Sequence, residues 1–387
     1  MGFTRQLSLP ESGSCLLLGP RQTGKSTLLH DRLPAGTTWF VDLLRFDTHL
    51  HYARNPQQFH DDALAQLDAG CQTIVVDEVQ KLPVLLDAVH ALIEARGARF
   101  VLTGSSARKL RRGGANLLAG RAFLRQMHPL TQQELGPAFD LERALRLGTL
   151  PAVWTLDDAM AGELLRAYAD TYLREEIQAE AIVRNLGGFA RFLDVAAAYS
   201  GDLVNFSAVG REAALATRTV QEYYQILDDT LIALTLPPWR RSQRSRLVAH
   251  PKVYLFDTGV TNALCSRTGG TPDASLRGRL FEQWFITEFR RMCDYFWPET
   301  RLYFWRTNTG AEVDLLVERH GRLRMAIEVK ARATVATADL SGLRAFAAEH
   351  PEVPQVVAAP VSLGFRLGEA EVWSPRELFA SLDKWLG

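Results

Sequence analysis

Short apolar runs alternate with helical stretches along the first third of the chain. Runs of this kind, each followed by glycine or polar residues, predict buried strands, whereas the pattern from Pro56 to Ala69 predicts a helix. Strands that alternate with helices favour a parallel sheet covered on both faces, with a ligand at the carboxyl ends of the strands. The predicted strands are Leu16–Leu18, Thr37–Leu43, Thr73–Glu78, Arg99–Thr103 and Gly120–Leu124.

The middle third changes to a helical pattern. Leucine and tyrosine residues three and four positions apart predict helices from Leu141 to about Arg184, and Phe189–Ala198 is a further apolar helix. Ser207 and Thr217 are the expected N-caps of two short helices joined by a tight turn. Two strands after these helices complete the outline of a helix-turn-helix with a wing. These strands are expected at Leu231–Leu236 and Lys252–Phe256.

The second short helix carries the side chains that would read DNA. Arg218, Thr219 and Gln221 lie at its start, where the side chains of a DNA reader enter a groove. A basic run between the two wing strands favours phosphate contact, although such a run is also typical of a solvated loop. The same winged helix often serves as a packing module, so both interpretations stay open. The basic residues are Arg240, Arg241, Arg244 and Arg246.

The last third begins with a predicted helix from Gly278 to about Arg291, followed by a strand at Leu302–Arg306. A hairpin that turns about Gly321 comes next. Its strands are Glu312–Glu318 and Leu323–Lys330, and the remaining strands are expected at Val353–Ala359 and Val372–Trp373, before a closing helix at Arg376–Leu386.

Length, charge and cysteine content narrow the class of protein. The 387 residues suffice for about two or three domains. Lysine and arginine together equal aspartate and glutamate, 44 each, so a nucleic acid or membrane partner must meet a local patch. No apolar run is long enough to span a bilayer, which predicts no membrane partner. Cys15, Cys71, Cys265 and Cys293 form no CxxC pair, which argues against a zinc module and favours a cytoplasmic protein.

Residues 19–27 form the pattern Gly-x-x-x-x-Gly-Lys-Ser-Thr between an apolar run and a helix-forming run. Glycines are needed where the backbone curls around phosphate oxygens, because a Cβ would block the ligand. Lys25 can neutralise phosphate charge, the Ser26 hydroxyl can bind Mg²⁺, and the helix presents its positive end to the anion. The predicted nucleotide-binding residues are Gly19, Pro20, Arg21, Gln22, Thr23, Gly24, Lys25, Ser26 and Thr27.

The third predicted strand ends in two acids, Asp77 and Glu78. In P-loop enzymes the first acid helps to hold Mg²⁺ and the second polarises the attacking water. An acidic strand end that merely caps the next helix is the alternative, but the distance from the phosphate loop favours catalysis. Thr103 and Ser105, at the end of the following strand, are the candidates for contact with the γ-phosphate, and their spacing does not choose between them.

The register of the C-terminal hairpin decides whether a second acidic site forms. Glu328 and Lys330 are two residues apart on one strand and share a face. A three-residue loop at 320–322 places Asp314 opposite Glu328, so that the two carboxylates converge with the ammonium. A two-residue loop pairs Asp314 with Ile327 and splits the carboxylates between opposite faces.

Converging carboxylates at this hairpin would suit metal-assisted phosphodiester cleavage. Asp314 and Glu328 would hold Mg²⁺, Lys330 would orient or deprotonate water, and Glu282 from the preceding helix would complete the shell. The alternative is an acidic strand pair on an inactive scaffold.

The motifs GPRQTGKST, IVVDEVQKLP and LTGSS, in this order, resemble a bacterial and archaeal group of AAA+ ATPases, and the resemblance covers the whole chain. It implies the roles given above for the phosphate loop and the acids, and a γ-phosphate sensor at Thr103 or Ser105. It also implies a homo-oligomer, with a ring as one form, and an arginine supplied by the neighbouring subunit. Arg121 is the candidate, and a plain surface arginine is the alternative.

The resemblance also extends to the lid and to the C-terminal domain. Relatives usually carry Gly-Gly-x-Pro at the start of the helical lid, and Gly148-Thr149-Leu150-Pro151 departs from that pattern at its second position. The cluster at the hairpin is similar to the PD-(D/E)xK nuclease signature, and the matching family ends in a domain with a restriction-endonuclease-like fold. Its members here are Glu282, Asp314, Glu328 and Lys330.

We therefore expect an α/β protein with a P-loop AAA+ parallel sheet, a helical lid, a winged helix-turn-helix and a restriction-endonuclease-like domain. The expected ligands are ATP and Mg²⁺, and the expected partner is DNA. The function that follows is an ATPase coupled to a DNA-binding or nuclease-like domain. An ATP-dependent switch with an inactive nuclease-like domain and a protein-remodelling ATPase are the alternatives. The expected domain boundaries are 1–136, 137–190, 191–256 and 257–387.

Overall fold

The structure is a computed structural model that describes residues 2–106, 120–173, 185–239 and 250–387. The described residues divide into two compact units. The first contains those up to Leu130 and the short segment Asp229–Ile232. The second contains those of 131–228 and those from Ala233 to Gly387. None of the helices in the described ranges combines the length and the apolar character needed to cross a membrane.

A parallel five-stranded sheet forms the first unit, as the sequence predicts. Its strands are β1 Ser14–Leu18, β2 Thr38–Asp42, β3 Thr73–Asp77, β4 Phe100–Gly104 and β5 Ala122–Gln126. Their order across the sheet is β2-β3-β4-β1-β5. The carboxyl end of β4 therefore lies between the ends of β1 and β3, which carry the phosphate loop and the two acids.

Helices cover the sheet, and its three central strands are buried along their whole length. Leu16 and Leu18 pack in one core with side chains of α3 and α4, and Leu17, which points to the opposite face, is also fully buried. Strand β5 begins two residues later than predicted, because Gly120 has φ +76° and forms a turn. The helices are α1 Lys25–Arg32, α2 Phe46–Arg54, α3 Pro56–Asp68 and α4 Leu85–Arg96.

The second unit opens with short helices. Thr131 and Glu134 form the reciprocal capping box at the first of them, as the Thr-x-x-Glu pattern predicts. Residues Tyr168–Leu173, directly after the helix Asp158–Ala167, form a π-helix. The helices are α5 Gln132–Leu135, α6 Leu141–Leu147, α7 Asp158–Ala167, α8 Leu186–Ala198, α9 Phe206–Glu212, α10 Thr217–Asp229 and α11 Thr258–Leu264.

Both predicted N-caps around α9 and α10 are wrong. The Asn205 side chain accepts hydrogen bonds from the amides of Ser207 and Ala208, so it caps α9 two residues before the predicted position. Helix α10 includes Thr217, and its first intrahelical hydrogen bond is accepted by the Ala216 carbonyl. Asn205, directly before Phe206, is therefore the residue that marks the start of α9.

Two antiparallel strands, β6 Ala233–Leu236 and β7 Lys252–Leu255, follow α10. Strand β6 is shorter than the predicted Leu231–Leu236, because Leu231 has φ +59° and cannot continue an extended strand. The basic run at 240–246 lies outside the described residues.

A mixed six-stranded sheet completes the second unit, in the order β12-β13-β11-β10-β9-β8. Phe281, Phe285 and Phe289 of a long helix, α12, pack against Leu315 and Ile327 of the two hairpin strands. Strand β12 escapes sequence analysis because its residues are largely exposed. The elements are α12 Ala274–Phe296, β8 Arg301–Arg306, β9 Glu312–Arg319, β10 Arg322–Val329, α13 Ser341–Glu349, β11 Gln355–Ala358, β12 Phe365–Leu367, β13 Ala370–Trp373, α14 Pro375–Ala380 and α15 Asp383–Leu386.

Candidate nucleotide site and carboxylate cluster

The phosphate loop runs from the end of β1 to the start of α1. Gly24, the N-cap of α1, has φ +90°, and Gln22 has φ +62°, so the loop curls as the glycine pattern requires. A Cβ on Gly19 would lie 2.3 Å from the Met127 carbonyl oxygen. Gly19 is therefore needed for close packing beside β5 as well as for the approach of a ligand.

Lys25, the first residue of α1, places its ammonium within the loop. Its Nζ donates to the carbonyl oxygens of Gly19, at 2.7 Å, and Pro20, at 3.2 Å. The Glu78 carboxylate lies 4.0 Å from the same ammonium. A single cation is thus shared between the phosphate loop and the acid expected to polarise water.

Asp77 joins the phosphate loop to β4. Its Oδ2 accepts a hydrogen bond from the Ser26 hydroxyl at 2.5 Å, and its Oδ1 accepts one from the Thr103 hydroxyl. The Thr103 oxygen in turn accepts from the Glu78 amide at 3.0 Å. The Ser26 hydroxyl and the Asp77 carboxylate supply oxygen ligands of the kind that Mg²⁺ prefers, and their pairing would let both hold one ion.

Glu78 is held in an unusual conformation. Its φ of +59° lies in the left-handed region, which is uncommon for a non-glycine residue. The Gln80 side-chain amide donates to the Glu78 carboxylate and, at 2.9 Å, to the Ser105 hydroxyl. Ser105 is therefore linked to Glu78 through Gln80, whereas Thr103 contacts Asp77 directly.

Gln80 and Arg5 support the site and are not predicted by the sequence motifs. A Cβ on Gly104 would lie 2.7 Å from the Gln80 Oε1 atom, so the glycine of the β4 end leaves room for this side chain. The buried Arg5 guanidinium donates to the carbonyl oxygens of Thr23 and His128, each at 2.6 Å, and so braces the phosphate loop. A lone arginine near the start of the chain carries no motif that would have revealed it.

Arg121 lies away from the phosphate loop of its own chain. It directly precedes β5, whose first residue, Ala122, is beside Ser14 at the start of β1. The phosphate loop follows the other end of β1. The Arg121 guanidinium forms an exposed ion pair with Glu94 of α4. Within one chain, Arg121 thus lies near the amino-terminal ends of the strands, whereas the candidate nucleotide site lies at their carboxyl ends.

The start of the predicted lid is a tightly packed polar junction in the second unit. A Cβ on Gly148 would lie 1.9 Å from the Asp257 carboxylate, which accepts the Thr149 amide at 2.7 Å. The Thr149 hydroxyl accepts from Arg291 at 2.8 Å. The threonine that departs from the Gly-Gly pattern is therefore accommodated, and the close backbone approach takes place at Gly148.

Glu288 is the most buried acid of this junction. Its side chain is fully buried, and it accepts the Gln132 amide at 2.6 Å and the Arg291 guanidinium at 3.3 Å. Burial raises the pKa of Glu288 to about 7, against the opposing effect of Arg291.

Helix α10 presents polar side chains to solvent at its start. The Arg218 side chain is 90% exposed and pairs with Glu222 one turn later, and Gln221 is also exposed. Thr219 is half-buried. The structure therefore leaves two of the three predicted DNA-reading side chains accessible.

The C-terminal hairpin combines a two-residue turn with a β-bulge. Arg319 pairs with Arg322 across His320 and Gly321, both of which have positive φ, so the loop has two residues rather than three. Between Leu323 and Met325 the register shifts by one residue at Arg324, and Ile327 then pairs with Leu315.

Because of the bulge, Asp314 and Glu328 lie on the same face, although a two-residue turn alone would place them on opposite faces. Continuing the register by one pair places Asp314 opposite Glu328. Accordingly, the Val329 amide donates to the Asp314 carboxylate at 2.8 Å, and the Lys330 ammonium lies 2.5 Å from Glu328. The three predicted residues of the hairpin are therefore brought together.

Lys252 of β7, which sequence analysis placed only in a strand, lies among these acids. Its Nζ is 2.6 Å from a Glu312 oxygen, 2.8 Å from a Glu282 oxygen and 3.8 Å from an Asp314 oxygen. The Tyr254 hydroxyl donates to the same Glu282 oxygen at 2.7 Å. No spacing rule links Lys252 to residues 30 or more positions away, so only the fold reveals it.

The acids and lysines of the cluster perturb one another. Burial, followed by the charge of Glu328, raises the pKa of Asp314 well above its ordinary value. Burial also raises the pKa of Glu328, although the adjacent Lys330 opposes this effect. Burial would lower the pKa of Lys252, but Tyr254 and the surrounding acids outweigh it and raise that pKa.

The predicted metal role of Asp314 and Glu328 does not fit this geometry. Across the described ranges, no three histidine, cysteine or acidic side chains are arranged to hold a metal ion. Glu282, the third expected acid, is instead bonded to Lys252 and Tyr254. The cluster brings the predicted residues together but places a cationic side chain among them.

The sheet order, the loop after β1 and the acids after β3 define a P-loop nucleotide-binding domain. Residues 11–136 match the protein family described as AAA domain, so this part of the chain is similar to that family. Residues 138–271 and 277–376 match two families described as domains of unknown function, DUF8612 and DUF4143.

Three relatives that match most of the chain are described as uncharacterized proteins. Two proteins, from Mycobacterium bovis and Mycobacterium tuberculosis, are each 29% identical over 79% of this chain and 68% of their own length. A protein of Haemophilus influenzae is 21% identical over 71% of this chain and 74% of its own. Among solved structures, the replication initiator DnaA bound to AMPPCP and single-stranded DNA shares 10% identity, with a TM-score of 0.29 over 56% of this chain and 82% of that one. A similarity this low carries no functional conclusion.

Proposed function

We propose that the chain is an ATPase that binds and hydrolyses ATP with Mg²⁺. The observation that carries this proposal is the hydrogen-bonded series Ser26–Asp77–Thr103 beside the Lys25 ammonium. It joins the ends of the three central strands, where a P-loop protein holds its nucleotide. The AAA family match of residues 11–136 supports the same function.

The residues divide the work of hydrolysis between binding and activation. The loop amides and Lys25 bind the phosphates, while Ser26 and Asp77 would hold Mg²⁺. When bound, the magnesium ion neutralises phosphate charge. Glu78 orients and polarises the attacking water, and Gln80 fixes its carboxylate. Thr103 and Ser105, the two candidate sensors, remain within this network.

Replacing Glu78 with glutamine tests the assignment. We expect Glu78→Gln to bind ATP within about twofold of the wild-type affinity and to lose roughly a hundredfold or more in kcat, because the amide cannot act as a base. Glu11→Gln, at an exposed glutamate of the same unit, is the matched control and should turn over normally. Wild-type turnover by Glu78→Gln would exclude the catalytic role.

We also propose that residues 191–256 form a winged helix that contacts DNA and that the nucleotide cycle acts on this contact. The exposed start of α10, with Arg218 and Gln221, supports the proposal, as do helices α9 and α10 followed by the antiparallel pair β6 and β7. A protein-remodelling ATPase without a DNA partner is the competing function.

The DNA contact is tested on the full chain with duplex DNA at several salt concentrations. We expect binding that weakens as salt rises, since phosphate contacts release counterions, and that weakens further in Arg218→Ala. Glu222→Ala, which removes the ion-pair partner of Arg218, should not weaken binding. Equal affinity of wild type and Arg218→Ala at every salt concentration would exclude α10 as the contact and favour the competing function.

A further inference from the structure

We propose that Lys252 is a built-in cation of the C-terminal carboxylate cluster, and that a divalent metal can bind there only in place of its ammonium. The inference concerns the second unit alone and does not depend on ATP hydrolysis. It assigns Lys252 the electrostatic role that a metal ion has in a cluster of this composition.

The ammonium occupies the point on which the acids converge. It is within 2.6 to 3.8 Å of oxygens from Glu282, Glu312 and Asp314. A magnesium or calcium ion would need oxygens at about 2.0–2.6 Å. Since the acids already direct three oxygens to Lys252, an ion and the ammonium cannot share them.

Lys252 is fixed in this position by its strand. It pairs with Leu236 of β6 on one side and bridges to Leu203 on the other. Its side chain is 6% exposed, and its ammonium lies 5.8 Å from the centre of the Phe304 ring. Tyr254, two residues along the same face of β7, holds Glu282 from the same strand.

Formal charges at the cluster are close to balance with Lys252 present. The acids are Glu282, Glu312, Asp314 and Glu328, and the cations paired with them are Lys252, Lys330 and Arg306. Removal of one buried cation leaves an excess of negative charge that is costly unless another cation replaces it. The Glu328 Oε2 atom is buried and has no hydrogen-bond partner in the described residues, so one oxygen is free for such a cation.

Manganese binding to the full chain without nucleotide tests the proposal. All variants carry Asp77→Asn, so that the N-terminal site does not contribute. We expect Lys252→Met to bind one Mn²⁺ roughly a hundredfold more tightly than the parent, because a positive charge has been removed from the ion's position. Lys252→Arg keeps the charge and should bind no better than the parent. Adding Asp314→Asn to Lys252→Met should abolish the new site.

Two results would overturn the proposal. The first is a folded Lys252→Met protein, shown by an unchanged circular dichroism spectrum and a cooperative melt, that binds Mn²⁺ no better than the parent. The second needs no Lys252 variant. If the parent binds one Mn²⁺ tightly and Asp314→Asn abolishes it, a metal already binds beside Lys252. If Lys252→Met does not fold, the comparison of the parent with Asp314→Asn decides the question. Weak Mn²⁺ binding by the parent that Asp314→Asn does not change would support the proposal.

Discussion

Glu78 illustrates how backbone strain and side-chain contacts are combined at a single residue. A left-handed conformation in a non-glycine residue costs on the order of 1 kcal/mol or more. The Thr103 hydroxyl accepts its amide and Gln80 holds its carboxylate, so these contacts stabilise the conformation. The strain is thus offset by the same side chains that orient the carboxylate, which agrees with the catalytic role proposed for Glu78.

Sequence analysis identifies the motif residues of the nucleotide site but not their supports. Lys25, Ser26 and Asp77 are found because a fixed loop and the end of a strand determine where they lie. Gln80 and Lys252 depend on which side chains the fold brings against them, and no local spacing encodes that. The residues that the sequence does not predict are therefore those placed by contacts between distant segments, and not those that belong to a motif.

Glu288 should make stability depend on pH. Its folded pKa of about 7 is above the value of about 4.3 for an exposed glutamate, so the folded protein binds more protons between these pH values. The free energy of unfolding contributed by this residue should therefore fall as pH rises from about 4 to 7. Urea denaturation at pH 5 and pH 7.5 should show wild type losing about 2 kcal/mol more than Glu288→Gln over this range.

Glutamine can still accept the Gln132 amide, and Arg291 keeps its bonds to Thr149 and Phe256. If wild type and Glu288→Gln lose the same stability between the two pH values, ionisation of Glu288 is not the source.

At the scale of elements, the β-bulge at Arg324 determines the composition of the carboxylate cluster. The turn length alone would pair Asp314 with Ile327, and the extra residue restores the pairing with Glu328. Turn length can be predicted from the sequence, but a bulge has no strong sequence signal within a strand. The pairing of Asp314 with Glu328 is therefore expected with a three-residue loop, whereas the protein reaches it with a two-residue loop and a bulge.

Deleting Arg324 should leave the pairing beyond the bulge intact. Arg324 is the unpaired extra residue, so without it Met325 still pairs with Val317 and Glu328 stays opposite Asp314. We expect the free energy of unfolding, measured by urea denaturation, to change by less than about 1 kcal/mol. Deleting Met325 instead would place Arg324 opposite Val317, where its charge would enter the core, and should cost more than about 3 kcal/mol or prevent folding. Equal losses in the two deletions would contradict the assignment of Arg324 as the extra residue.

The strands and helices themselves follow from the sequence to different degrees. The buried strands β1, β3 and β4 are predicted to within about two residues, because continuous apolar runs mark them clearly. Strand β12 is not predicted, and the single closing helix expected from the sequence is two short helices, α14 and α15. Exposed or short elements such as these have no periodic pattern.

At the scale of the whole molecule, a unit similar to the AAA domain family is joined in one chain to a second unit, which matches two families described as domains of unknown function. Overall charge is balanced, so partner recognition depends on local features such as the exposed start of α10. The predicted subunit contact through Arg121 would let one chain complete the site of another, because Arg121 lies far from its own phosphate loop.

Release of phosphate from ATP by the purified wild-type chain tests the central claim most directly. The account predicts turnover with Mg²⁺ that stops in a chelator and that falls at least roughly a hundredfold in Lys25→Ala, since the loop then lacks its phosphate-neutralising cation. Turnover that is equal in wild type and Lys25→Ala, or that persists in the chelator, would contradict it.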